Sequence, residues 1–309
     1  MSDTPPRISV VIPCKGRQSE LLRAIDTVLA QTLPAYEIVV VDDGSTTPLS
    51  VPQHPAVTLI RQNNTGPAGA RNTGVRNATG DWIALLDSDD TWYPNKLERQ
   101  WQLAQATGAD FCFANMDMSS WGIHMDYTTW LPAGVRSGVA LGPVERFVAG
   151  CYVPTSTIFV RRSLFDAIGG FDTSLPFYED LDITIRLAHR GKVAADIDFA
   201  GAYVKTGDSF GNATAPTPKG IRAEIMVLRK VWTDSAYPRS IRQMARRRLG
   251  PLLHDLAYRH RHQGELRDSV RASLHSLVQR KSPRAANMKN IAACTIIKVR
   301  RMLGLRTVG

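Results

Sequence analysis

An α/β fold with a mainly parallel sheet flanked by helices, followed by a basic helical extension, is predicted by three features of the sequence. Short, continuously apolar runs, among them ISVVIPC at Ile8–Cys14 and EIVVV at Glu37–Val41, read as strands buried on both faces. Helical patterns of about ten residues separate them, the βαβ spacing that produces parallel sheets. Beyond residue 216 the chain turns into successive arginine-rich helical segments.

The 309 residues are 43% apolar and 21% charged, enough for one large domain or two ordinary ones, and they exclude wholesale disorder. No stretch approaches the ~18 uninterrupted apolar residues of a membrane span. The N-terminal MSDTPPRISVVIP lacks the cleavage pattern of a signal peptide, so a cytoplasmic location is expected. Cys14, Cys112, Cys151 and Cys294 are too far apart for a zinc site and are expected as reduced, mostly buried thiols.

Taken in order, the strand Ile8–Cys14 precedes a helix over Ser19–Gln31, where Leu22, Ile25, Val28 and Leu29 recur at helical spacing. Glu37–Val41 and Val57–Arg61 are the next strands, Gly69–Ala78 a short helix, and Asp81–Leu86 (DWIALL) another buried strand. Asn95–Ala106 reads as helix and Asp110–Asn115 as strand. Residues 117–153 are irregular and rich in Trp121, Tyr127, Trp130, Phe147 and Tyr152. Ser156–Val160 is strand-like, and Glu179–Arg190 is a helix with Leu181, Ile185, Leu187 and Ala188 as its apolar set. Gly, Thr, Pro and Ala dominate Gly207–Gly220, a linker signal. Helices over Ile221–Val231, Arg239–His262, Glu265–Gln279 and Ala285–Leu303 complete the chain, dividing it at 1–215 and 216–309.

Ligands of such sheets bind beyond the carboxyl ends of the strands, and two acidic clusters fall there. Asp87-Ser88-Asp89 offers hard oxygen donors suited to Mg²⁺ or Mn²⁺, although a solvated turn leading into a helix explains it equally. Asp42-Asp43 is either a plain turn or a carboxylate pair that accepts from a ribose hydroxyl or a base N–H. Glu179-Asp180-Leu181-Asp182 opens a helix, where acids complement the dipole, but one of them could also deprotonate an acceptor hydroxyl. No GxSxG elbow or other activated nucleophile is present, which favours direct displacement over covalent catalysis.

Together and in order, VVIPCKGR, EIVVVDDGST, NTGPAGARNTGVRNATGDWIALLDSDDTWYPNKLE and VRRSLFDAIGGFDTSLPFYEDLDITIRLAHRG closely resemble the inverting family 2 glycosyltransferases of GT-A fold, over about residues 7–210. The resemblance implies metal-dependent transfer of one sugar from a nucleotide-sugar, a UDP-sugar foremost, to a saccharide or lipid-linked saccharide acceptor. Bacterial cell-surface polysaccharide or glycolipid assembly is the implied setting. Pro13, Lys15, Arg17, Asp42, Asp43, Asp87 and Ser88 would line the nucleotide site, with Asp43 foremost at base and ribose. Asp89, with Asp87, would bind the divalent cation, and Asp180, with Glu179, would act as the base. Lys15 stands where many relatives carry an aromatic residue, and Thr206, with Lys205 before it, where many carry histidine. The QxxRW motif of the processive synthases is absent. Trp92 and the aromatic residues of 117–153 are expected to stack on an acceptor sugar or to form core.

Residues 1–219 hold 18 Lys and Arg against 23 Asp and Glu, whereas 220–309 hold 20 against 5, a net of +15. In Ala285–Leu305, Met288, Ile291, Ala292, Thr295, Val299, Met302 and Leu303 recur near helical spacing, with Lys289, Lys298, Arg300 and Arg301 largely elsewhere. A helix in the interface of an anionic membrane, the cytoplasmic face of the inner membrane, has this pattern, as does a helix packed on the body with a solvated basic side. A nucleic-acid-binding protein and an inactive sugar- or lipid-binding adaptor are the competing classes. The acidic body and the lack of an RNA motif or zinc finger speak against the first, and no nucleic-acid partner is expected. The intact Asp43, Asp89 and Asp180 speak against the second.

Overall fold

A computed structural model describes residues 5–119, 127–203, 217–278 and 283–302. The sheet is built from β1 (Ile8–Cys14), β2 (Glu37–Asp43), β3 (Val57–Gln62), β4 (Trp82–Leu85), β5 (Asp90–Trp92), β6 (Phe111–Asp117), β7 (Ser137–Val139), β8 (Phe159–Arg161) and β9 (Val193–Tyr203). Its order is β3-β2-β1-β4-β8-β6-β9-β5, with β7 also paired to β9. The helices between the strands are α1 (Gln18–Leu29), α2 (Gly66–Asn77), α3 (Lys96–Thr107), α4 (Pro143–Ala149), α5 (Arg162–Ala167) and α6 (Glu179–Arg190).

The apolar runs become the parallel half of the sheet, β3-β2-β1-β4, as their continuous hydrophobicity requires. Cys14 lies opposite Asp42, and Val11 opposite Leu85, so the carboxyl ends of β1, β2 and β4 emerge on one edge. The other half is mixed: β8 runs antiparallel to β4 and β6, and β5 and β7 antiparallel to β9. β9 and β5 were not expected. VAADIDFAGAY lacks a continuous apolar run, and Asp196 and Asp198 within it pair with Arg99. The region 117–153 likewise contains β7, α4 and a 3₁₀ turn at Thr128–Trp130.

α2 lies against β1 through small residues. A Cβ at Gly74 would come within 2.2 Å of Val11 Cγ1, so only glycine permits this approach. Of the two alternatives for the aromatic residues, Trp92, Tyr127, Trp130 and Phe147 take the core, whereas Tyr152 is half-buried. Trp92 and Tyr127 are 3% exposed, Trp130 1% and Phe147 0%, and Phe113 packs edge-on against Tyr127, Trp130 and Phe147 at 5.0–6.1 Å. Trp121 lies outside the described residues. All four cysteines are free, with Cys14, Cys112 and Cys294 buried.

The sheet with α1–α3, α5 and α6 forms one compact unit. The other contains α7 (Pro218–Thr233), α8 (Arg239–His262), α9 (Leu266–Leu277) and α10 (Arg284–Met302), together with Val148–Gly150 and Leu175–Tyr178. Within it α7 and α8 bury Ile221, Ile225, Leu228, Ile241, Leu249 and Leu253. The α9–α10 contact is polar: Asn290 Nδ2 donates to Ser269 and Ser273, and Asn287 Nδ2 to Ser276, each at 2.9 Å. Arg222 lies 3.0 Å from His260 Nε2, which leaves Nδ1–H to donate to Glu265.

Candidate active site

The edge where β1, β2 and β4 end gathers most of the residues singled out in the sequence. Pro13 is half-buried on β1, Lys15 is exposed just beyond it, and the Gly16 N–H donates to Ser45 Oγ at 2.8 Å, tying this loop to the one after β2. Asp42, expected to line the nucleotide site, is bonded into the loop after β2. It is 1% exposed and accepts from the N–H groups of Ser45 (2.9 Å) and Leu49 (3.4 Å), with Arg61 3.4 Å away. Burial would raise its carboxyl, but these donors hold it below the usual carboxylate range. Asp42 therefore anchors a loop.

Asp43, 4% exposed, accepts from Gln62 Nε2 (2.8 Å), Thr65 N–H (2.8 Å), Thr65 Oγ1 (3.2 Å) and Gly66 N–H (2.9 Å). Three of these donors meet Oδ1 and only the Gly66 N–H meets Oδ2, which keeps acceptor capacity. As it stands, Asp43 fixes the N-terminus of α2.

Beyond β4 the chain makes the acidic turn. Asp89 forms an ion pair with Arg17, and Asp87 Oδ1 lies 2.6 Å from Arg71 Nη2. Burial, reinforced by the charge of Asp87, pushes the Asp89 carboxyl up despite Arg17. Asp90 is 2% exposed and hydrogen-bonded to Ser156 Oγ; burial and Asp87 push it well above the carboxylate range. Ser88 is buried, at 5% exposure.

Arg71, which none of the sequence motifs singles out, joins this turn to α6. It is 4% exposed, donates from Nη1 to Glu179 Oε1 at 3.1 Å as well as to Asp87, and lies 5.3 Å from the Phe171 ring centroid. Burial opposes its charge, but Asp87 and Glu179 more than offset this. Asn72, next in the chain, holds Phe171 by two 2.8 Å hydrogen bonds, one to its carbonyl and one from its N–H. The run GARN supplied the only sequence signal, a charged residue amid small ones in a helix buried by alanine and glycine.

Asp180, beside Glu179 in the first turn of α6, accepts from the Leu181 N–H at 2.7 Å. Burial and the adjacent Glu179 push its carboxyl up to about 7, where a carboxylate serves as a proton acceptor near neutral pH. Asp182 instead braces the helix: 3% exposed, it pairs with Arg186, which donates to the carbonyls of Ile168 and Gly170. Tyr178, just before Glu179, has φ 62°, a conformation that costs a non-glycine residue about 1–3 kcal/mol and tends to occur beside functional groups. Lys205 and Thr206 lie outside the described residues.

The donor set fits a divalent cation. Asp87 and Asp89 are hard oxygen ligands on one turn, each already drawing an arginine, and Asp89 still lacks enough positive charge to ionise at its ordinary pKa.

A sequence model described as Glycosyl transferase family 2 matches residues 9–169. The succinoglycan biosynthesis protein ExoO of Rhizobium meliloti is 42% identical over 212 residues, which cover 63% of this chain and 59% of that protein. Matched regions span 31–59% of the length of ExoO and two uncharacterized glycosyltransferases of Rickettsia felis and Rickettsia conorii. Among solved structures, S. aureus TarS 1–349 in complex with UDP-GlcNAc aligns with TM-score 0.66 and 16% identity, covering 98% of this chain and 93% of that one. The mannosyltransferase PcManGT of Pyrobaculum calidifontis, in complex with GDP-Man and Mn²⁺, aligns with TM-score 0.60 and 18% identity over 97% and 84%. At these identities the two structural likenesses establish the GT-A fold.

Proposed function

We infer the activity from one premise: the chain belongs to glycosyl transferase family 2. It moves one sugar from a nucleotide-sugar, most simply a UDP-sugar, to the hydroxyl of a saccharide or lipid-linked saccharide, inverting the anomeric carbon. The observation that carries this reading is the bridge made by Arg71, which brings the acidic turn after β4 and the first turn of α6 into one site. Asp180 takes the acceptor's hydroxyl proton as that oxygen bonds to the anomeric carbon; the bond to the diphosphate breaks, and its electron pair leaves with the nucleoside diphosphate. Arg71 holds Glu179 and Asp87 in place through its two ion pairs, and Arg17 adds positive charge beside Asp89. Pro13 forms the floor of the nucleotide end and Lys15 lines it, with Asp43 beside base and ribose. Asp87 and Asp89 would hold Mn²⁺ or Mg²⁺, which when bound offsets charge developing on the leaving diphosphate. The name of ExoO supports polysaccharide assembly as the setting, and the bound UDP-GlcNAc of TarS and the GDP-Man and Mn²⁺ of PcManGT support the donor and ion classes.

Thermal unfolding against a panel of nucleoside diphosphates, each with and without Mn²⁺, tests this. A ligand at 100 times its Kd stabilises by about 2.7 kcal/mol, so UDP with Mn²⁺ is expected to raise the midpoint by several degrees and UDP alone by much less. No rise with any nucleotide would favour a sugar- or lipid-binding adaptor.

A peripheral position on an anionic membrane is supported by α10, whose faces are reversed for a helix in a water-soluble unit. Asn287, Asn290 and Cys294 are buried, whereas Met288 and Ile296 are each 57% exposed beside the exposed Lys289 and Lys298. Leu274 and Val278 of the α9 segment are also exposed, at 52% and 71%. No helix among the described residues is long and apolar enough to cross a membrane.

A further inference from the structure

We propose that the start of α8 carries a phosphate-binding pocket, formed by Arg239, Gln243, Arg246 and Arg247 and separate from the residues assigned to sugar transfer. These four side chains line a cavity of about 140 Å³, several times the ~30 Å³ occupied by one water molecule and sufficient for a phosphate group. At i, i+4, i+7 and i+8 they occupy one stripe of the helix.

The stripe lacks a counter-charge of its own. Among the described residues no carboxylate pairs with Arg239, Arg242, Arg246 or Arg247, in contrast to Arg248, which pairs with Glu224, and Arg259, which pairs with Asp255. Arg242 and Arg246 are like charges four residues apart, an arrangement that weakens a helix. Arg239 opens a 24-residue helix that has no acid in its first turn and no side-chain cap, so the positive end of the dipole adds to the arginine charge. Arg246 is held in place by Trp232, whose ring centroid lies 5.3 Å from its Cζ, and its buried Nε–H has no hydrogen-bond partner, as is true of Arg242. An unneutralised trio of guanidinium groups around a small cavity, one of them held by Trp232, selects an anion with several oxygens. Phosphate meets that requirement by forked hydrogen bonding.

The phosphate could be borne by a lipid head group or by a soluble molecule, and the test separates these sources. Full-length protein is titrated calorimetrically with inorganic pyrophosphate, and its flotation with phosphatidylcholine vesicles containing phosphatidic acid is measured. Wild type is compared with R239Q/R246Q/R247Q, with R247Q alone, and with a charge-matched control, R229Q/R267Q/R271Q, whose residues are exposed on α7 and α9. The pocket triple variant is expected to weaken binding at least tenfold, the control by no more than twofold. Arg247 is exposed, so R247Q is expected to fold normally, with an unchanged unfolding midpoint, and to lose binding several-fold. Pyrophosphate binding that the pocket variants lose and the control keeps supports the pocket with a soluble phosphate as its ligand; the same loss seen with the vesicles alone supports it with a lipid head group. Equal losses in the pocket and control variants would overturn the proposal, as would wild type binding neither ligand.

Discussion

Arg71 is charged, nearly inaccessible, and shared between Asp87 and Glu179, so its planar fork sets the distance between two acidic segments from different parts of the chain. Lysine keeps the charge but cannot donate to both carboxylates from fixed directions. Arg71→Lys is therefore expected to lower kcat for transfer by about 10–100-fold while KM for the donor changes less, the scale of loss that follows from misplacing catalytic groups by about 1 Å. Steady-state kinetics check this; an unchanged kcat would show that the bridge does not set the geometry. The places of Asp180 at a helix start and of Asp89 beyond a strand end were legible from their motifs. Arg71 was not, because burial of a charge depends on partners 16 and 108 residues away in the chain. The burial of Asp42 and Ser88 was not legible for a related reason: an acidic turn in sequence does not show which side chains face the loop and the core.

At the level of elements, the parallel strands were readable because burial on both faces demands continuous apolar runs. β9 escaped because its polar positions are answered by Arg99, from α3. The start of α3 also holds Lys96, 1% exposed, whose Nζ has no hydrogen-bond partner and lies 3.7 Å from the Trp92 ring centroid. Burial pulls its amine well below the usual lysine range. A base depressed in the folded state leaves the unfolded chain binding more protons between the folded and unfolded pKa values, so this lysine lowers stability below that range, and the loss diminishes as pH rises toward the unfolded lysine value of ~10.4. Lys96→Met is expected to raise stability at pH 7 by about 1–3 kcal/mol, the usual cost of an unpaired buried polar group, and to flatten the rise of stability between pH 7 and 10. Denaturant titration at both pH values measures this. Destabilisation by methionine would show that the contact with Trp92 outweighs the burial cost.

Across the whole molecule, charge is divided unequally: a net of +15 falls in residues 220–309. This asymmetry was visible in composition, and so was the apolar stripe of α10. Its outward placement was not, because a helical wheel cannot tell which face is packed; Asn287 and Asn290 turn inward only because Ser269, Ser273 and Ser276 receive them. An outward apolar stripe beside lysines is expected to hold the protein on anionic vesicles at low salt, with Met288→Ser/Ile296→Ser reducing the bound fraction at least fivefold. Flotation gives the answer, and a double variant that binds like wild type would assign the attraction to charge alone.

The central claim is that Asp180 is the proton acceptor in a site completed by the acidic turn after β4. Its most direct test is the pH dependence of kcat/KM for wild type and Asp180→Asn, with donor affinity measured in parallel. With an acid raised to about 7, the base form is lost below that value, so wild-type kcat/KM is expected to fall close to tenfold per pH unit beneath it and to level off above. Asp180→Asn is expected to bind the donor as wild type does, to transfer about 10²–10⁴-fold more slowly, and to lose that acidic limb. Transfer by Asp180→Asn at near wild-type rate, or the same acidic limb in both proteins, would contradict the assignment.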